Sequence, residues 1–329
     1  MTARGRVALP VAVALVAVLA GCAVARDDSV GAAVDALSTS PAPTTSASPT
    51  PSTTPSSPSR PCTPRPDLPP LASLPKPGHM TPGTYMYRVQ TAHHLVIGVD
   101  QNSELLSAYD PKTRKIEGFD VDVAREVARA IFGSPDAIET RAIVTGQRIP
   151  VLQDGEVDLV ADAFTVTCER QQQVDFSRVY YRAHQRLLVR DDTNVRTLAD
   201  LRGHKVCATA SGTAVQTLHA NGLVPVLVPA RTDCLVALET GEVDAIVADN
   251  TILEGFKKQD PSTTLLTTDY TDEPYALGMA PGNDEFVRFV NAVLMKLAQS
   301  GCLAQITAKW LGARPPKHPV PNCVAGAGS

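Results

Sequence analysis

Two short stretches of this chain nearly repeat each other, and they constrain its fold more than any other feature. Asp154–Val160 reads DGEVDLV, and Gly241–Val247 reads GEVDAIV. Each stretch closes a predicted helix, makes a tight turn and enters a short apolar strand of the kind found in buried sheets. The repeat indicates two similar lobes rather than a short tandem array.

Predicted strands and helices alternate regularly on both sides of the repeat. The strands lie at 94–100, 138–144, 157–161, 205–208, 224–228, 244–248 and 273–279, and the helices at 117–131, 149–153, 211–220, 232–240, 285–299 and 302–311. Asp120 and Asp122 lie near the N-terminus of the first helix, where negative charge is favourable, so we interpret them as structural. The alternation predicts an α/β fold with two doubly wound lobes.

The N-terminus carries an export signal. Arg4 and Arg6 precede an apolar run, Val7–Ala20, that is too short to span a bilayer comfortably. The following LAGC, at residues 19–22, is similar to a bacterial lipobox, whose cysteine becomes the lipidated first residue of the mature protein. We predict a lipoprotein signal peptide at 1–21, lipidation of Cys22, and an extracytoplasmic protein anchored to the cell membrane. The alternative is an ordinary signal peptide with a cysteine there by chance.

The segment after Cys22 has the composition of a disordered tether. Residues 38–61 are nearly all Ser, Thr, Pro and Ala. Such a segment buries too little apolar surface to offset the entropy of ordering. Residues 22–81 are therefore predicted to hold a folded body away from the membrane, and O-glycosylation of this tether is a hypothesis.

Charge and cysteine content narrow the classes of function. The net formal charge is −4, and no basic patch with interleaved aromatics occurs, so nucleic acid is not expected as a partner. Six of the seven cysteines remain when Cys22 is set aside. In an oxidising compartment they favour disulfides, with many pairings open. No CxxC or Cys/His spacing indicates a metal site.

Four motifs carry a resemblance to a known family. They are GFDVDVAREVA at 118–128, LQDGEVDLV at 152–160, TVTCERQQQVDFS at 165–177 and GEVDAIVAD at 241–249. In order and spacing they resemble the family 3 extracellular solute-binding proteins, the receptors of polar amino-acid ABC transporters, over residues 95–311. The resemblance is closest to actinobacterial glutamate/glutamine-binding lipoproteins.

The resemblance implies a two-lobed clamp, the type II periplasmic binding protein fold, joined by a two-strand hinge. The crossings are expected near 186–189 and 274–278, which gives lobe 1 residues 82–187 plus 275–313, lobe 2 residues 188–274, and a tail at 314–329. The implied function is capture of glutamate or aspartate, or of their amides, by a monomeric receptor. The receptor would deliver the amino acid to an ABC permease and ATPase, without a cofactor and without catalysis.

The resemblance also assigns the groups that bind the ligand backbone. Arg170 and Thr165 match the family's α-carboxylate element, and a guanidinium suits a carboxylate bidentately. Thr213 and Ser211 open a predicted helix, whose N-terminus attracts anions; helix capping is the alternative for Ser211. Asp249 matches the ammonium-binding acid, with an N-cap role as the alternative. Ala163 is expected to offer its carbonyl oxygen to the ammonium.

The side-chain pocket is assigned in the same way. Arg148 matches an arginine of glutamate/aspartate receptors and would pair with a distal carboxylate; the alternative is a solvated arginine on the outer face of a helix. Ala210 stands where glutamine-binding relatives carry a lysine, which weakens a glutamine-type pocket. Asp100 is expected to face the cleft, and Ser107 and Tyr109 lie where relatives stack an aromatic against the ligand.

Three disulfides follow from the resemblance and from chain order. Relatives share the cysteines matching Cys207 and Cys234, so these are expected to pair within lobe 2. Cys302 and Cys323 are close in sequence, and a bridge between them would tie down the tail. Cys62 and Cys168 then remain, and their bridge would fix the end of the tether beside the binding loop, residues 165–170.

Two other functions stay open on this fold. One is an exported arogenate or prephenate dehydratase, although the chain has only 5% aromatic residues and no histidine within the binding motifs. A dehydratase needs a placed general acid. The other is a sensor subunit that reports amino-acid levels to a signalling kinase, which would share the same binding site.

Overall fold

The structure is a computed structural model and describes residues 62–326. Nine helices occupy Tyr85–Ala92 (α1), Phe119–Phe132 (α2), Arg148–Gln153 (α3), Cys168–Gln171 (α4), Ala214–Ala220 (α5), Arg231–Glu239 (α6), Asn250–Gln259 (α7), Asp284–Ser300 (α8) and Cys302–Leu311 (α9) within that range. None of the helices in this range is long and apolar enough to cross a membrane. The predicted signal peptide, Cys22 and tether residues 22–61 lie outside the described residues.

Strands in the described range form two five-stranded sheets and two smaller ones. They are Leu95–Val99 (β1), Asn102–Ser103 (β2), Ser107–Asp110 (β3), Lys115–Glu117 (β4), Ile138–Ala142 (β5), Leu159–Val160 (β6), Asp175–Phe176 (β7), Tyr181–Ala183 (β8), Gln185–Arg190 (β9), Val206–Thr209 (β10), Val226–Val228 (β11), Ala245–Asp249 (β12), Thr263–Leu265 (β13), Glu273–Tyr275 (β14) and Gly278–Met279 (β15). The alternation predicted from sequence is present.

Each lobe is built on one five-stranded sheet, in the order β5-β1-β6-β15-β7 for lobe 1 and β11-β10-β12-β9-β13 for lobe 2. In lobe 1, β1 is parallel to β5 and β6; in lobe 2, β10 is parallel to β11 and β12. The two halves of the sequence repeat enter β6 and β12. The predicted α/β fold of two doubly wound lobes is confirmed.

The hinge is the antiparallel pair β8 and β14, in which Ala183 faces Glu273 and Tyr181 faces Tyr275. The second crossing was predicted at 274–278 and overlaps β14. The first was predicted at 186–189, but those residues belong to β9 inside the sheet of lobe 2. The first crossing between the lobes is therefore β8, at Tyr181–Ala183, and not residue 187. Strand β9 lies inside the sheet of lobe 2, between β12 and β13.

Helix α2 anchors the core of lobe 1. Its buried side chains include Phe119, Val123, Val127 and Ile131, which recur at helical spacing, and each contributes about 1.5–3 kcal/mol by burial. Gly118 precedes the helix at φ 155°, where an added Cβ would lie 2.2 Å from the Leu106 carbonyl oxygen. A side chain at 118 would therefore push apart the helix and the loop before it.

Residues 62–81, predicted as tether, instead pack on lobe 1 as a strap. The Leu71 amide donates to the Arg288 carbonyl at 3.0 Å, and Asn291 Nδ2 donates to the Leu68 carbonyl at 2.8 Å. Arg65 pairs with Asp175 at 3.0 Å. The tether prediction was wrong here because these prolines alternate with leucines that pack against the core.

All three predicted disulfides are present: Cys62–Cys168, Cys207–Cys234 and Cys302–Cys323, with Cα separations of 5.8, 5.6 and 5.6 Å. The tail was predicted to be loose apart from Cys323. Up to residue 326 it folds back: the Val324 amide donates to Glu126 Oε1 at 2.8 Å, and the Val320 amide to Gln305 Oε1 at 2.7 Å. Two disulfides therefore brace lobe 1, and one braces lobe 2.

Candidate functional site

A cavity of about 40 Å³ lies in the cleft between the lobes. Lobe 1 lines it with Thr145, Arg148, Ala163, Thr165 and Arg170, and lobe 2 with Thr209, Gly212, Thr213, Ala214, Arg231, Val247, Ala248, Asp249 and Ile252. Most of these follow or end strands β6, β10 and β12. In open α/β sheets this carboxyl edge of the strands is where ligands bind.

Two arginines of lobe 1 converge on one point of lobe 2. Arg170 donates through Nη1 to the Thr165 carbonyl at 2.7 Å and through Nη2 to the Ser211 carbonyl at 2.9 Å. Arg148 reaches the same Ser211 oxygen through Nη2 at 3.5 Å. Both guanidinium groups lie by the Phe164 ring, 4.6 Å (Arg148) and 5.3 Å (Arg170) from its centroid. A polar oxygen at this point therefore meets donors from both arginines.

Burial of both arginines removes the alternative of a solvated position. Arg148 is 3% exposed and Arg170 is 9% exposed. Burial, followed by the charge of Arg170, lowers the pKa of Arg148 to about 9. Burial also lowers the pKa of Arg170, opposed by the charges of Asp249 and Glu273. Two cations held this close in a buried cleft favour an anionic guest.

Ser211 contributes its backbone, with a left-handed φ of 64° that turns its carbonyl toward the arginines. No side-chain cap bond is made at the N-terminus of α5, where Thr213 is the cap residue. The Thr213 hydroxyl instead donates to Glu273 Oε2 at 2.9 Å and accepts from Gln185 Nε2 at 3.0 Å. The hydroxyl predicted to bind a carboxylate thus bonds the hinge, while Thr213 still lines the cavity.

Asp249 supplies the acid of the cavity from the end of β12. It accepts a hydrogen bond from the Tyr275 hydroxyl at 2.6 Å and makes no side-chain cap bond to α7. Burial, followed by the charge of Glu273, raises the pKa of Asp249 to about 6. Because burial and Glu273 disfavour the ionised carboxylate, a neighbouring cation would stabilise it, so Asp249 is suited to an ammonium group.

Asp120 stabilises the turn at Ala163 and does not contact the cavity. The Ala163 amide donates to Asp120 Oδ2 at 2.7 Å, and the Tyr180 hydroxyl donates to Oδ1 at 2.6 Å. Ala163 itself has a φ of 43° and a carbonyl that accepts from Arg148 Nη1 at 3.2 Å. Asp120 therefore fixes an unfavourable turn that points the Ala163 carbonyl at the cleft.

Four predicted residues do not line the cavity: Ser211, which reaches the two arginines only through its carbonyl oxygen, and Tyr109, Ser107 and Asp100 of lobe 1. Tyr109 is 50% exposed and lies beside Arg114 and Lys115 on a surface groove of lobe 1. Ser107 is fully buried, and its hydroxyl donates to the Asp100 carbonyl at 2.7 Å. Asp100 is buried behind the cavity lining and lies 3.5 Å from Arg231. The ligand-binding predictions for Asp100, Ser107 and Tyr109 are corrected, because Asp100 faces Arg231, Ser107 is buried against the Asp100 backbone, and Tyr109 lies on the outer surface of lobe 1.

Sequence reasoning missed Asp162 and Arg231. Arg231 begins α6 in lobe 2, and its Nη1 lies 2.6 Å from Asp162 Oδ1 of lobe 1. Asp162 directly follows the predicted strand 157–161, which is a weak signal because strand ends carry site residues. Arg231 lies in no motif, so only the folded structure reveals it.

Comparisons with known proteins place this architecture. The family model described as bacterial extracellular solute-binding proteins, family 3, matches residues 95–313. The chain is 31% identical over 224 residues to the ABC transporter glutamine-binding protein GlnH of Bacillus subtilis, covering 67% of this chain and 82% of that protein. It is 32% identical over 211 residues to the glutamate-binding protein GluB of Corynebacterium glutamicum, covering 60% and 72%.

Solved structures agree with the family model. A mutant of ArgBP from T. maritima superimposes with a TM-score of 0.63 at 26% identity, covering 69% of this chain and 99% of that one. An ancestral arginine-binding protein bound to glutamine gives a TM-score of 0.62 at 29% identity, covering 67% and 98%. The chain therefore belongs to the bacterial extracellular solute-binding proteins of family 3.

Proposed function

We propose that this protein is the lipid-anchored receptor of an amino-acid ABC importer and binds acidic amino acids, glutamate or aspartate, with glutamine and asparagine in second place. The observation that carries the proposal is the set of charges in the cleft. Arg148 and Arg170 from lobe 1 and Asp249 from lobe 2 all line one cavity, and the charge of Arg231, which also lines it, is paired with Asp162. An acidic amino acid has two carboxylates and one ammonium, which is the complementary set.

Each charge of the ligand has a designated partner. Arg170, whose guanidinium is fixed by the Thr165 carbonyl, takes the α-carboxylate. Asp249 takes the ammonium together with the Ala163 carbonyl. Arg148 takes the distal carboxylate. In this arrangement ligand oxygens replace the Ser211 carbonyl, which now accepts from both arginines.

Binding requires the lobes to separate and close again. A cavity of 40 Å³ has room for only a few water molecules, so a free amino acid enters an opened clamp. The β8–β14 pair is the element about which the lobes would rotate. The closed clamp presents both lobes to the permease, and the protein works as a monomer without a cofactor.

The relatives support the class of ligand and the class of partner. GlnH is named as the glutamine-binding protein of an ABC transporter and GluB as a glutamate-binding protein. Both are binding proteins by name, which fits a receptor that performs no chemistry. Anchoring through Cys22 is tested separately: Cys22→Ala should release the protein from the membrane fraction, and equal membrane retention would refute a lipid anchor.

Calorimetry of the chain from residue 23 onward against the twenty amino acids tests the function. Glutamate or aspartate should bind most tightly. Arg148→Ala should then weaken glutamate and aspartate much more than glutamine and asparagine, because only the acids place a charge against Arg148. Equal losses for all four ligands would refute acidic specificity. Failure of all twenty to bind would refute the function.

A further inference from the structure

A buried ion pair crosses the cleft at the ligand cavity, which Arg231 itself lines. Arg231, from the first turn of α6 in lobe 2, donates through Nη1 to Asp162 Oδ1 of lobe 1 at 2.6 Å. The same Nη1 lies 3.5 Å from Asp100 Oδ2 and from the Ser103 hydroxyl, both also in lobe 1. The Arg231 and Asp162 side chains are 4% and 0% exposed. A charge of one lobe is therefore enclosed by partners of the other.

The pair is linked directly to the loop that faces the ligand. Asp162 precedes Ala163, and its carbonyl accepts from Arg231 Nη2 at 3.2 Å and from Arg148 Nη1 at 3.3 Å. Asp162 Oδ2, which is buried without a hydrogen-bond donor, lies 3.9 Å from Arg148 Nε. Asp162 therefore lies between Arg231 of lobe 2 and a ligand-facing arginine of lobe 1.

The electrostatics of the pair depend on closure. Burial disfavours the charge on Arg231, but Asp162 and then Asp100 outweigh burial and raise its pKa. When the lobes part, Arg231 leaves Asp162 and Asp100, and water can take its place beside these carboxylates. When the lobes close without Arg231, the Asp162 carboxylate is enclosed without its strongest partner, which is costly.

We propose that Arg231 is a positioning residue of the amino-acid site: it locks the Asp162–Ala163 turn in place when the clamp closes and so sets how long the ligand is held. The inference rests on the proposed amino-acid-binding function. Arg231 acts through Asp162 and Arg148, and its main effect is on ligand release, since release requires the pair to separate.

The chain offers a matched control in a second ion pair between the lobes. Lys258 on α7 of lobe 2 pairs with Glu104 of lobe 1 at 2.5 Å, with side-chain exposures of 61% and 30%. This pair also separates on opening, but its lysine is solvated. Exposed pairs contribute little, so Lys258→Met should change the Kd by less than about fivefold.

The test is a double-mutant cycle on the chain from residue 23 onward, with glutamate and aspartate as ligands. Arg231→Met should raise the Kd by about 30-fold or more, mainly through faster dissociation. In an Asp162→Asn background the same substitution should cost at least about fivefold less, because the carboxylate closest to Arg231 is then absent and only the more distant Asp100 loses its partner. Arg231→Lys should be intermediate, since lysine keeps the charge but loses the planar fork.

The outcomes separate this inference from the proposed function. Additive losses, or a loss in association rate alone, would show that Arg231 is ordinary packing and would overturn the proposal. If the unsubstituted chain binds none of the twenty amino acids, the proposed amino-acid-binding function is refuted. Small-angle scattering of the ligand-free protein then tests whether Arg231 keeps the clamp closed. Expansion in Arg231→Met but not in Lys258→Met would support the lock, and identical radii of gyration would overturn it.

Discussion

The two lobes are similar in topology but differ in how firmly they are braced. Lobe 1 carries the strap at 62–81, the folded tail and the bridges Cys62–Cys168 and Cys302–Cys323, whereas lobe 2 has one internal bridge, Cys207–Cys234. Lobe 1 also provides two of the three arginines that line the cavity, Arg148 and Arg170, and the Ala163 turn. Lobe 2 provides Asp249, the Ser211 carbonyl and Arg231.

The difference indicates that the two lobes have different roles in ligand binding. In lobe 1 the donors are oriented before the ligand arrives, because Arg170 is fixed by Thr165 and the Ala163 turn by Asp120. Groups held in place in advance lose less entropy on binding. Lobe 2 completes the enclosure with its acid and with contacts that form only on closure. Lobe 1 should therefore decide whether an amino acid binds, and lobe 2 how tightly it is retained.

The largest expected effect comes from Arg170, the proposed partner of the α-carboxylate in lobe 1. Arg170→Ala should abolish binding of every amino acid, because the α-carboxylate is common to all and would be buried without its partner. Loss of a buried charge partner costs about 2–5 kcal/mol or more, which is a factor of about 30 to several thousand in the Kd. Calorimetry with glutamate and glutamine measures it.

Arg141→Ala is the matched control for this prediction. Arg141 lies on β5 of the same lobe and pairs with Glu156, with its side chain 48% exposed, so its removal should leave the Kd unchanged. A Kd of the Arg170→Ala protein within tenfold of the unsubstituted value would contradict this prediction. The α-carboxylate would then bind elsewhere, and Arg170 would not be its partner.

Removal of the lobe 1 disulfides tests whether these bridges contribute only to stability or also to ligand binding. Cys168 begins α4, the helix that carries Arg170, and it is bridged to the strap. Replacing Cys62 and Cys168 by serine should lower the free energy of unfolding by about 3–5 kcal/mol and should also raise the Kd. Denaturant unfolding measures the first effect and calorimetry the second.

Replacement of Cys302 and Cys323 is the comparison for that pair. The Cys302–Cys323 bridge also braces lobe 1, but it ties the tail to α9, far in sequence from the binding loop. It should lower stability by a comparable amount and leave the Kd unchanged. Equal Kd values for both double-serine proteins would mean that the strap does not support the binding loop.

The sequence predicted the elements better than their long-range contacts. The repeat ending at Val160 and Val247 indicated both lobes because a helix end, a turn and a buried strand are local patterns. Arg170 was found through its motif. Tyr109 was misplaced because its orientation depends on the β2–β3 hairpin, and Arg231 was missed because its partner Asp162 is 69 residues away. Contacts between lobes leave no local pattern in the chain.

A smaller effect is expected where helix α7 of lobe 2 meets lobe 1. A Cβ added at Gly255 would lie 2.7 Å from the Glu104 carbonyl oxygen. Gly255→Ala should therefore oppose closure and raise the Kd by about 5- to 150-fold, as for an overpacking cost of about 1–3 kcal/mol. The fold itself should become no less stable, since alanine is favoured over glycine in a helix.

Gly146→Ala provides the control across the same cleft. A Cβ at Gly146 would lie 3.6 Å from the Ser211 hydroxyl oxygen, an ordinary contact, so the Kd should change little. Calorimetry and thermal unfolding of both proteins separate closure from folding. An unchanged Kd for Gly255→Ala would mean that ligand binding does not require the close approach of α7 to lobe 1.

The smallest effect concerns pH and belongs to lobe 2. Burial and Glu273 raise the pKa of Asp249 to about 6, and under the proposed function only the ionised carboxylate pairs with the ligand ammonium. As pH falls through 6, Asp249 takes up a proton and the Kd should rise, by about tenfold between pH 7 and pH 5. Calorimetry across this range measures the slope.

Asp249→Asn identifies the group responsible for that slope. The variant should bind more weakly at pH 7 and show a flatter profile, because asparagine does not titrate. Asp120 also has a pKa raised to about 6 by burial, but its partners are the Ala163 amide and the Tyr180 hydroxyl of lobe 1. If the Asp249→Asn protein keeps the full slope, proton uptake at lobe 1 controls binding, and retention is not a property of lobe 2 alone.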